Sequence, residues 1–166
     1  MPSTYEPIIS YTVPSSTSTF TISSIPQTYT DLVIIGRFIT NTTTGSGVFV
    51  RPNGGVNYCV HAQMQSNGGT LSSGSVSTAN QFTGFYHEIP GTGDASGGFT
   101  TVRYNIQNYT SSINKQVQYD RFFYNLTTSY IAYVPTTSPI TSFEWFSQNQ
   151  PFGAGCTVEL YGIKKA

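Results

Sequence analysis

The nine residues DLVIIGRFI, numbered 31–39, form the most apolar run of this chain. A continuous run of this length predicts a central β-strand that is covered on both faces, at least over its first half. On its N-terminal side, residues 18–22 read STFTI, in which Phe20 and Ile22 alternate with hydroxyl side chains. This two-residue period is typical of a strand with one buried face. The two segments together indicate a fold built from strands.

Similar patterns continue along the chain, and they predict about ten short strands. The predicted strands cover residues 5–13, 18–22, 31–39, 48–51, 56–60, 81–89, 99–107, 116–126, 129–134, 140–146 and 156–163. Gly, Pro, Ser and Asn separate them, and no 3.6-residue apolar period persists. We therefore predict one all-β domain over residues 1–166, folded as an antiparallel β-sandwich. A jelly-roll-like arrangement is favoured, because the open edges of the sheets must be protected from pairing with other chains.

Three local predictions concern edges and turns. Pro7 interrupts the first strand, which predicts an edge position or a strand start. Residues 52–55, Pro-Asn-Gly-Gly, predict a tight hairpin between segments 48–51 and 56–60, because Asn-Gly supplies the positive φ that such turns require. Residues 65–79 are rich in Ser, Gly, Asn and Thr, so we expect a long exposed loop with at most one short strand.

The composition indicates a surface that lies against other proteins. Charged residues make up 8% of the chain, against about 25% in typical soluble domains. The formal net charge is +0, so self-repulsion does little to keep the free chain in solution. The 12 Tyr and 11 Phe residues supply too much apolar area for a disordered chain.

Nucleic acid and membrane partners are not expected. The seven Lys and Arg residues are offset by seven Asp and Glu residues and form no basic stripe that could neutralise phosphates. No apolar run approaches the roughly 20 residues that span a bilayer. The N-terminus shows no secretory signal, so we expect the chain to stay in the cytoplasm in which it is made.

The ends of the chain carry the segments TYEPI (4–8), IPQTYTDLVI (25–34) and LYGIK (160–164). They resemble a group of small structural proteins of tailed bacteriophages, cyanophages among them, in which such segments recur. RPNG (51–54) followed by NY (57–58) is similar to that group's "FNGDxGxNYS" hairpin, but it is shorter and lacks the Asp. The resemblance implies a virion protein without catalytic residues, on the capsid surface or, alternatively, on the tail.

The predicted strand that ends at Leu126 carries apolar side chains on both faces, with Phe122 and Tyr124 on the same face as Leu126. Two apolar faces predict burial or a contact with another subunit. We expect Asp120 and Arg121 to form an ion pair at this interface. The resulting hypothesis is a capsid decoration or cement protein that assembles as a homotrimer, binds the major capsid protein and stabilises the shell.

The alternative hypothesis is the receptor-binding tip of a tail fibre. Exposed Tyr residues and Trp145 could stack on sugar rings, and Asn residues in the loops could bind the hydroxyl groups of host surface glycans.

Residues with catalytic or metal-binding chemistry form no convincing set. Cys59 and His61 share one face of a predicted strand, and only His87 and Cys156 could complete a metal site. We interpret both cysteines as free and buried, with a disulfide between them as the alternative. No two carboxylates are close in sequence, as hydrolysis of a glycoside would favour. We predict that the chain binds no cofactor and is not an enzyme.

Overall fold

The computed structural model describes residues 5–55, 60–67, 70–76, 84–94, 98–124 and 126–164. All regular secondary structure in these ranges is β, which confirms the predicted fold class. The twelve strands of these ranges are β1 (Tyr5–Thr12), β2 (Thr19–Ile22), β3 (Asp31–Phe38), β4 (Ser46–Pro52), β5 (Val60–Asn67), β6 (Thr70–Val76), β7 (Phe85–Ile89), β8 (Thr100–Ile106), β9 (Lys115–Phe123), β10 (Leu126–Val134), β11 (Phe143–Ser147) and β12 (Thr157–Ile163).

The strands form two antiparallel sheets that pack against each other as a sandwich. The larger sheet has the order β1-β12-β3-β8-β9-β10-β5-β6, and the smaller sheet has the order β2-β11-β4-β7. Eight strands pair in a nested way: β1 with β12, β2 with β11, β3 with β8 and β4 with β7. A long antiparallel ribbon rolled up in this manner is a jelly roll, so the predicted arrangement is confirmed.

Two inserted hairpins enlarge this jelly roll. The hairpin β5–β6 interrupts the connection from β4 to β7, and the hairpin β9–β10 interrupts the connection from β8 to β11. Both join the larger sheet beyond β8, in the order β9-β10-β5-β6. We call these four strands the extension, because they continue the larger sheet past the eight strands of the jelly roll.

The predictions for β3 and β1 are confirmed. Strand β3 lies between β12 and β8, and Leu32, Val33 and Ile34 are all buried, as expected for a central strand covered on both faces. Strand β1 is an edge of the larger sheet, and its register to β12 shifts between Pro7 and Ile9. A proline at an irregular edge removes no ladder hydrogen bond from the sheet interior.

The predicted hairpin around residues 52–55 is wrong in its pairing. The turn itself is present, with positive φ at Asn53 and Gly54 and a hydrogen bond from Gly55 N to Pro52 O. However, β4 pairs with β11 and β7, whereas β5 pairs with β10 and β6. The turn therefore sends the chain from one sheet to the other. Residues 56–59 lie outside the described ranges.

The prediction for residues 65–79 is correct only in part where these residues are described, because the segment contains the short strand β6 but also the end of β5. The end of β5 and all of β6 pair as a hairpin in this region, from His61 opposite Val76 to Asn67 opposite Thr70. Described side chains of these strands such as Ala62, Met64, Ser72 and Ser73 are exposed. A strand without a buried face shows no alternation of apolar residues, so the sequence pattern gave no signal.

The predicted strand over residues 116–126 is two strands. β9 ends at Phe123, Tyr124 adopts a positive φ of 50°, and β10 begins at Leu126 opposite Phe123. The exposed apolar side chains of this segment therefore lie near the tip of a hairpin.

The segments 5–8, 25–34 and 160–164 from the two ends of the chain meet on adjacent strands. Residues 5–8 lie in β1, residues 31–34 in β3 and residues 160–163 in β12, which pairs with both. Tyr29 packs on Gly162, and Lys164 Nζ lies 5.3 Å from the Tyr29 ring centre and 3.1 Å from a carboxylate oxygen of Glu6. Hydrogen bonds from Lys164 and then from Tyr29 lower the pKa of Glu6. These motifs thus have a shared structural role at one end of the larger sheet.

We predict that Gly162→Ala destabilises the chain by about 1–3 kcal/mol, as overpacking of a filled site does. A Cβ atom at Gly162 would lie 2.3 Å from the ring of Tyr29. Removal of the ring should relieve the collision, so Gly162→Ala should cost much less in a Tyr29→Ala background. Urea unfolding of the four proteins of this cycle measures the coupling, and strictly additive costs would contradict the proposed contact.

Candidate functional site

The five residues predicted to form an interface do not share one surface. Asp120 and Phe122 lie on the outer face of the larger sheet, whereas Arg121 lies on its inner face because successive strand residues alternate. Leu126 pairs with Phe123 on the inner side of the hairpin end, and Tyr124 is exposed in the turn between them.

The predicted ion pair between Asp120 and Arg121 is wrong. The hydroxyl group of Ser129 donates to Asp120 at 2.7 Å on the outer face. Arg121 is only 4% exposed, and its Nη1 atom lies 3.3 Å from a carboxylate oxygen of Glu88 on β7. Adjacent positions of a strand point to opposite faces, so a pair between neighbours in sequence is geometrically unfavourable.

Exposed apolar side chains collect on the outer face of the extension. Phe122 on β9 is 47% exposed, Ile131 and Tyr133 on β10 are 60% and 43% exposed, and Met64 on β5 is 53% exposed. We call these four residues the outer strip. The other outward positions of the three strands are Gln, Thr, Ser and Ala side chains, with Asp120 the one charge among those described. A surface of apolar and uncharged polar side chains with few charged positions is typical of a protein-binding face.

The sequence analysis identified only Phe122 of the outer strip. A signal for two further members was present, since residues 129–134 read SYIAYV and carry apolar side chains at both alternate positions. Tyr130, Ala132 and Val134 are buried, which leaves Ile131 and Tyr133 to face outwards. Met64 lies between the predicted strand 56–60 and the predicted loop 65–79, so no prediction covered it.

A cleft of about 450 Å³ opens on the inner side of the β9–β10 tip, and we call it the tip cleft. Its lining residues are Gly45, Ser46, Gly47, Tyr86, Glu88, Ile89, Pro90, Asp94, Arg121, Phe123, Leu126, Gln148 and Asn149. They come from β4 and the residue before it, from β7 and the β7–β8 connection, from the β9–β10 hairpin and from the start of the β11–β12 connection. Two of the predicted interface residues, Arg121 and Leu126, therefore belong to this cleft.

Gly47 makes room for two side chains of the cleft. A Cβ atom at this position would lie 2.7 Å from the ring of Tyr86 and 3.1 Å from the side-chain oxygen of Gln148. The backbone N–H of Gln148 donates to Gly47 O at 2.8 Å. The Ser46 hydroxyl accepts the backbone N–H of Asn149 at 3.1 Å. These backbone contacts fix the segment that carries the side-chain amides of Gln148 and Asn149.

Two carboxylates border the tip cleft, and both are held by the protein. Glu88 is held by the buried guanidinium of Arg121 while its own side chain is 65% exposed. Asp94 accepts the backbone N–H of Gly91 at 2.7 Å. Burial and, second, the charge of Glu88 raise the pKa of Tyr86 to about 12, so its hydroxyl group stays protonated.

Trp145 does not take part in an exposed sugar-binding surface. It is 1% exposed and stacks on Phe20 with ring centres 5.2 Å apart and an interplanar angle of 6°. It lies on the inner face of β11, between Glu144 and Phe146, and forms part of the core. The proposal that Trp145 stacks on a glycan is therefore wrong.

The residues considered for metal binding lie in the core where they are described. Cys156 is a free, buried thiol that contacts the backbone of Ile39, and burial raises its pKa. His87 lies between Phe38 and Tyr104, with ring centres 5.7 and 6.0 Å away. Cys59 and the side chain of His61 lie outside the described part. Within the described ranges, no three His, Cys, Asp or Glu side chains come together as metal ligands would.

The seven carboxylates all have protein partners. Glu6 contacts Lys164, Asp31 accepts the N–H of Asn108, Glu88 contacts Arg121, Asp94 accepts the N–H of Gly91, Asp120 accepts from Ser129, Glu144 contacts Arg51 and Glu159 accepts from Tyr161. Each carboxylate therefore has a structural contact that accounts for its position.

We predict that His87 makes the chain sensitive to mild acid. Burial and, second, the Arg121 charge lower the pKa of His87 to about 3. The unfolded chain binds a proton at this position below about pH 6.5 and the folded chain does not, so stability is lost as pH falls from 6.5 towards 3. The loss between pH 7 and pH 5 should be about 2 kcal/mol.

His87→Phe and His87→Leu should each remove this part of the pH dependence. Urea unfolding at pH 7 and pH 5 measures it, because the carboxylates titrate equally in all three proteins. Parallel pH profiles for wild type and both variants would show that His87 is not the group responsible.

Comparison of the chain with protein-family models, curated proteins and solved structures finds no match. No helix of membrane-spanning length and hydropathy occurs in the part of the chain that the structure describes.

Proposed function

We propose that the chain is a structural protein of a tailed-bacteriophage particle, which binds the surface of the head as a homo-oligomer and stabilises the shell. The observation that carries the proposal is the outer strip, Met64, Phe122, Ile131 and Tyr133. Burial of these side chains against protein would contribute favourable free energy of roughly 25 cal/mol for each Å² of apolar surface removed from water.

The outer strip favours a protein partner because of what surrounds it. Its polar neighbours are uncharged apart from Asp120 and from Arg103, which lies opposite Asp120 on β8, and the carboxylate of Asp120 accepts a hydrogen bond from Ser129. Burial of this face would therefore desolvate few charges, and the desolvation of a charge costs several kcal/mol. A homotrimer that also contacts the major capsid protein agrees with this surface and with the sequence resemblance.

The first test is the oligomeric state. We expect wild type to form trimers at micromolar concentration in native mass spectrometry and Ile131→Lys to weaken assembly at least about tenfold, because a lysine would be buried unpaired. Thr21→Lys is the matched control, since it adds the same charge to an exposed position on the smaller sheet. A monomeric wild type, or an unaffected Ile131→Lys trimer, would contradict the role of the outer strip.

The second test is the location on the particle. Gold-labelled antibodies against the chain should bind the heads of intact phage particles. Label confined to the tail tip would favour the alternative, a tail-fibre protein that recognises host glycans. Purified particles without any label would contradict both locations.

A further inference from the structure

The tip cleft is built from the groups that recognise hydroxyl-rich ligands. Its volume of about 450 Å³ lies within the roughly 300–1,000 Å³ typical of small-molecule sites. The amides of Gln148 and Asn149 can both donate and accept hydrogen bonds, and the carboxylates of Glu88 and Asp94 accept them. The aromatic rings of Tyr86, above Gly47, and of Phe123 line the cleft beside these groups, together with the apolar side chains of Ile89, Pro90 and Leu126.

The charges of the cleft disfavour an anionic ligand. Arg121 contributes one positive charge, and Glu88 and Asp94 contribute two negative charges, so the described lining carries a net charge of −1. Arg121 is buried and directed at Glu88, which leaves the carboxylates as the exposed ionic groups. An anionic ligand would be repelled by them, since like charges at short range are destabilising.

An apolar ligand fits the cleft poorly. It would remove water from the amides and carboxylates without replacing their hydrogen bonds, which costs about 1–3 kcal/mol for each unsatisfied group. A sugar ring offers hydroxyl groups to these donors and acceptors and an apolar C–H face to an aromatic ring. Hydrogen bonds from hydroxyl groups to ionised carboxylates are also about twice as strong as those between neutral groups.

Contacts with Arg121 fix the position of Glu88 as a hydrogen-bond acceptor for a sugar. The guanidinium of Arg121 donates both to the backbone oxygen and to the side chain of Glu88, each at 3.3 Å. These two contacts hold one carboxylate oxygen in place, while the side chain remains mostly exposed to the cleft. A fixed acceptor loses little conformational entropy when a ligand binds.

We propose that the tip cleft binds the ring of an uncharged saccharide, with Glu88, Asp94, Gln148 and Asn149 as hydrogen-bond partners and Tyr86 against the ring face. This activity is independent of the outer strip, which lies on the opposite face of the β9–β10 hairpin. The chain could therefore hold a glycan while it is assembled on a particle.

The experiment uses the full chain and four uncharged probes: D-glucose, D-galactose, D-mannose and N-acetyl-D-glucosamine, with D-glucuronate as the anionic comparison. We expect at least one uncharged sugar to give saturation-transfer signals and to shift the backbone amide resonances of Gly47, Gln148 and Asn149. Binding of none of the four, or shifts confined to residues outside the cleft, would overturn the proposal. Binding of D-glucuronate in preference to all four would overturn the assignment of an uncharged ligand.

Single substitutions test whether the side chains of the tip cleft bind the sugar. Gln148→Ala, which alters an exposed side chain, and Glu88→Gln, which keeps the shape, should each weaken binding of that sugar about tenfold or more. Glu144→Gln is the matched control, because Glu144 pairs with Arg51 at 3.2 Å on the smaller sheet, away from the cleft. Equal affinities of wild type and both cleft variants would overturn the proposal, and so would an equal loss in Glu144→Gln. A monomeric chain that still binds the sugar would separate this site from the proposed assembly.

Discussion

The packing of aromatic rings between the two sheets is the interaction on which the rest of the structure depends. Tyr104, Tyr119 and Tyr130 lie directly opposite one another on β8, β9 and β10, with ring centres 5.4 and 4.5 Å apart. Phe85 of the smaller sheet contacts the first two rings from the other side. The same row continues on β5 with Gln63, which is only partly buried. The core therefore ends between β10 and β5, and the outermost hairpin extends beyond it.

This aromatic row gives the β9–β10 hairpin its two exposed surfaces. The inner side chains of both strands are fixed in the core, and the hydroxyl group of Tyr119 donates to Tyr86 O on β7 at 2.8 Å. Because side chains alternate along a strand, the outer positions must face away from the core, and there they form the outer strip. The tip of the hairpin passes the end of β7, and the space left between them is the tip cleft. The outer strip and the tip cleft therefore both depend on the packing of the β9–β10 hairpin against the core.

The few charged side chains of this protein mostly have structural contacts. All seven carboxylates are used to hold strands, turns or cations, and buried Lys115 donates to the backbone oxygens of Ser111, Ile113 and Thr136. Removal of a partner from such a buried cation would leave groups unsatisfied, which is costly. Few ionic groups remain for solubility, so the surface consists mainly of hydroxyl, amide and aromatic side chains. Such a surface is compatible both with protein neighbours and with uncharged sugars.

The sequence by itself determined the fold class, the central position of β3, the edge position of β1 and the alternation that buries Phe20 and Ile22. These features are local, since each depends on the period of apolar residues or on the geometry of proline. Only the tertiary structure decided that β4 and β5 belong to different sheets and that the serine-rich segment forms β6. Pairing depends on which strand edges remain open, and an exposed strand shows no apolar period. The tip cleft was hidden because it joins residues from strands far apart in the chain, and Met64 belongs to the outer strip only because β5 pairs with β10.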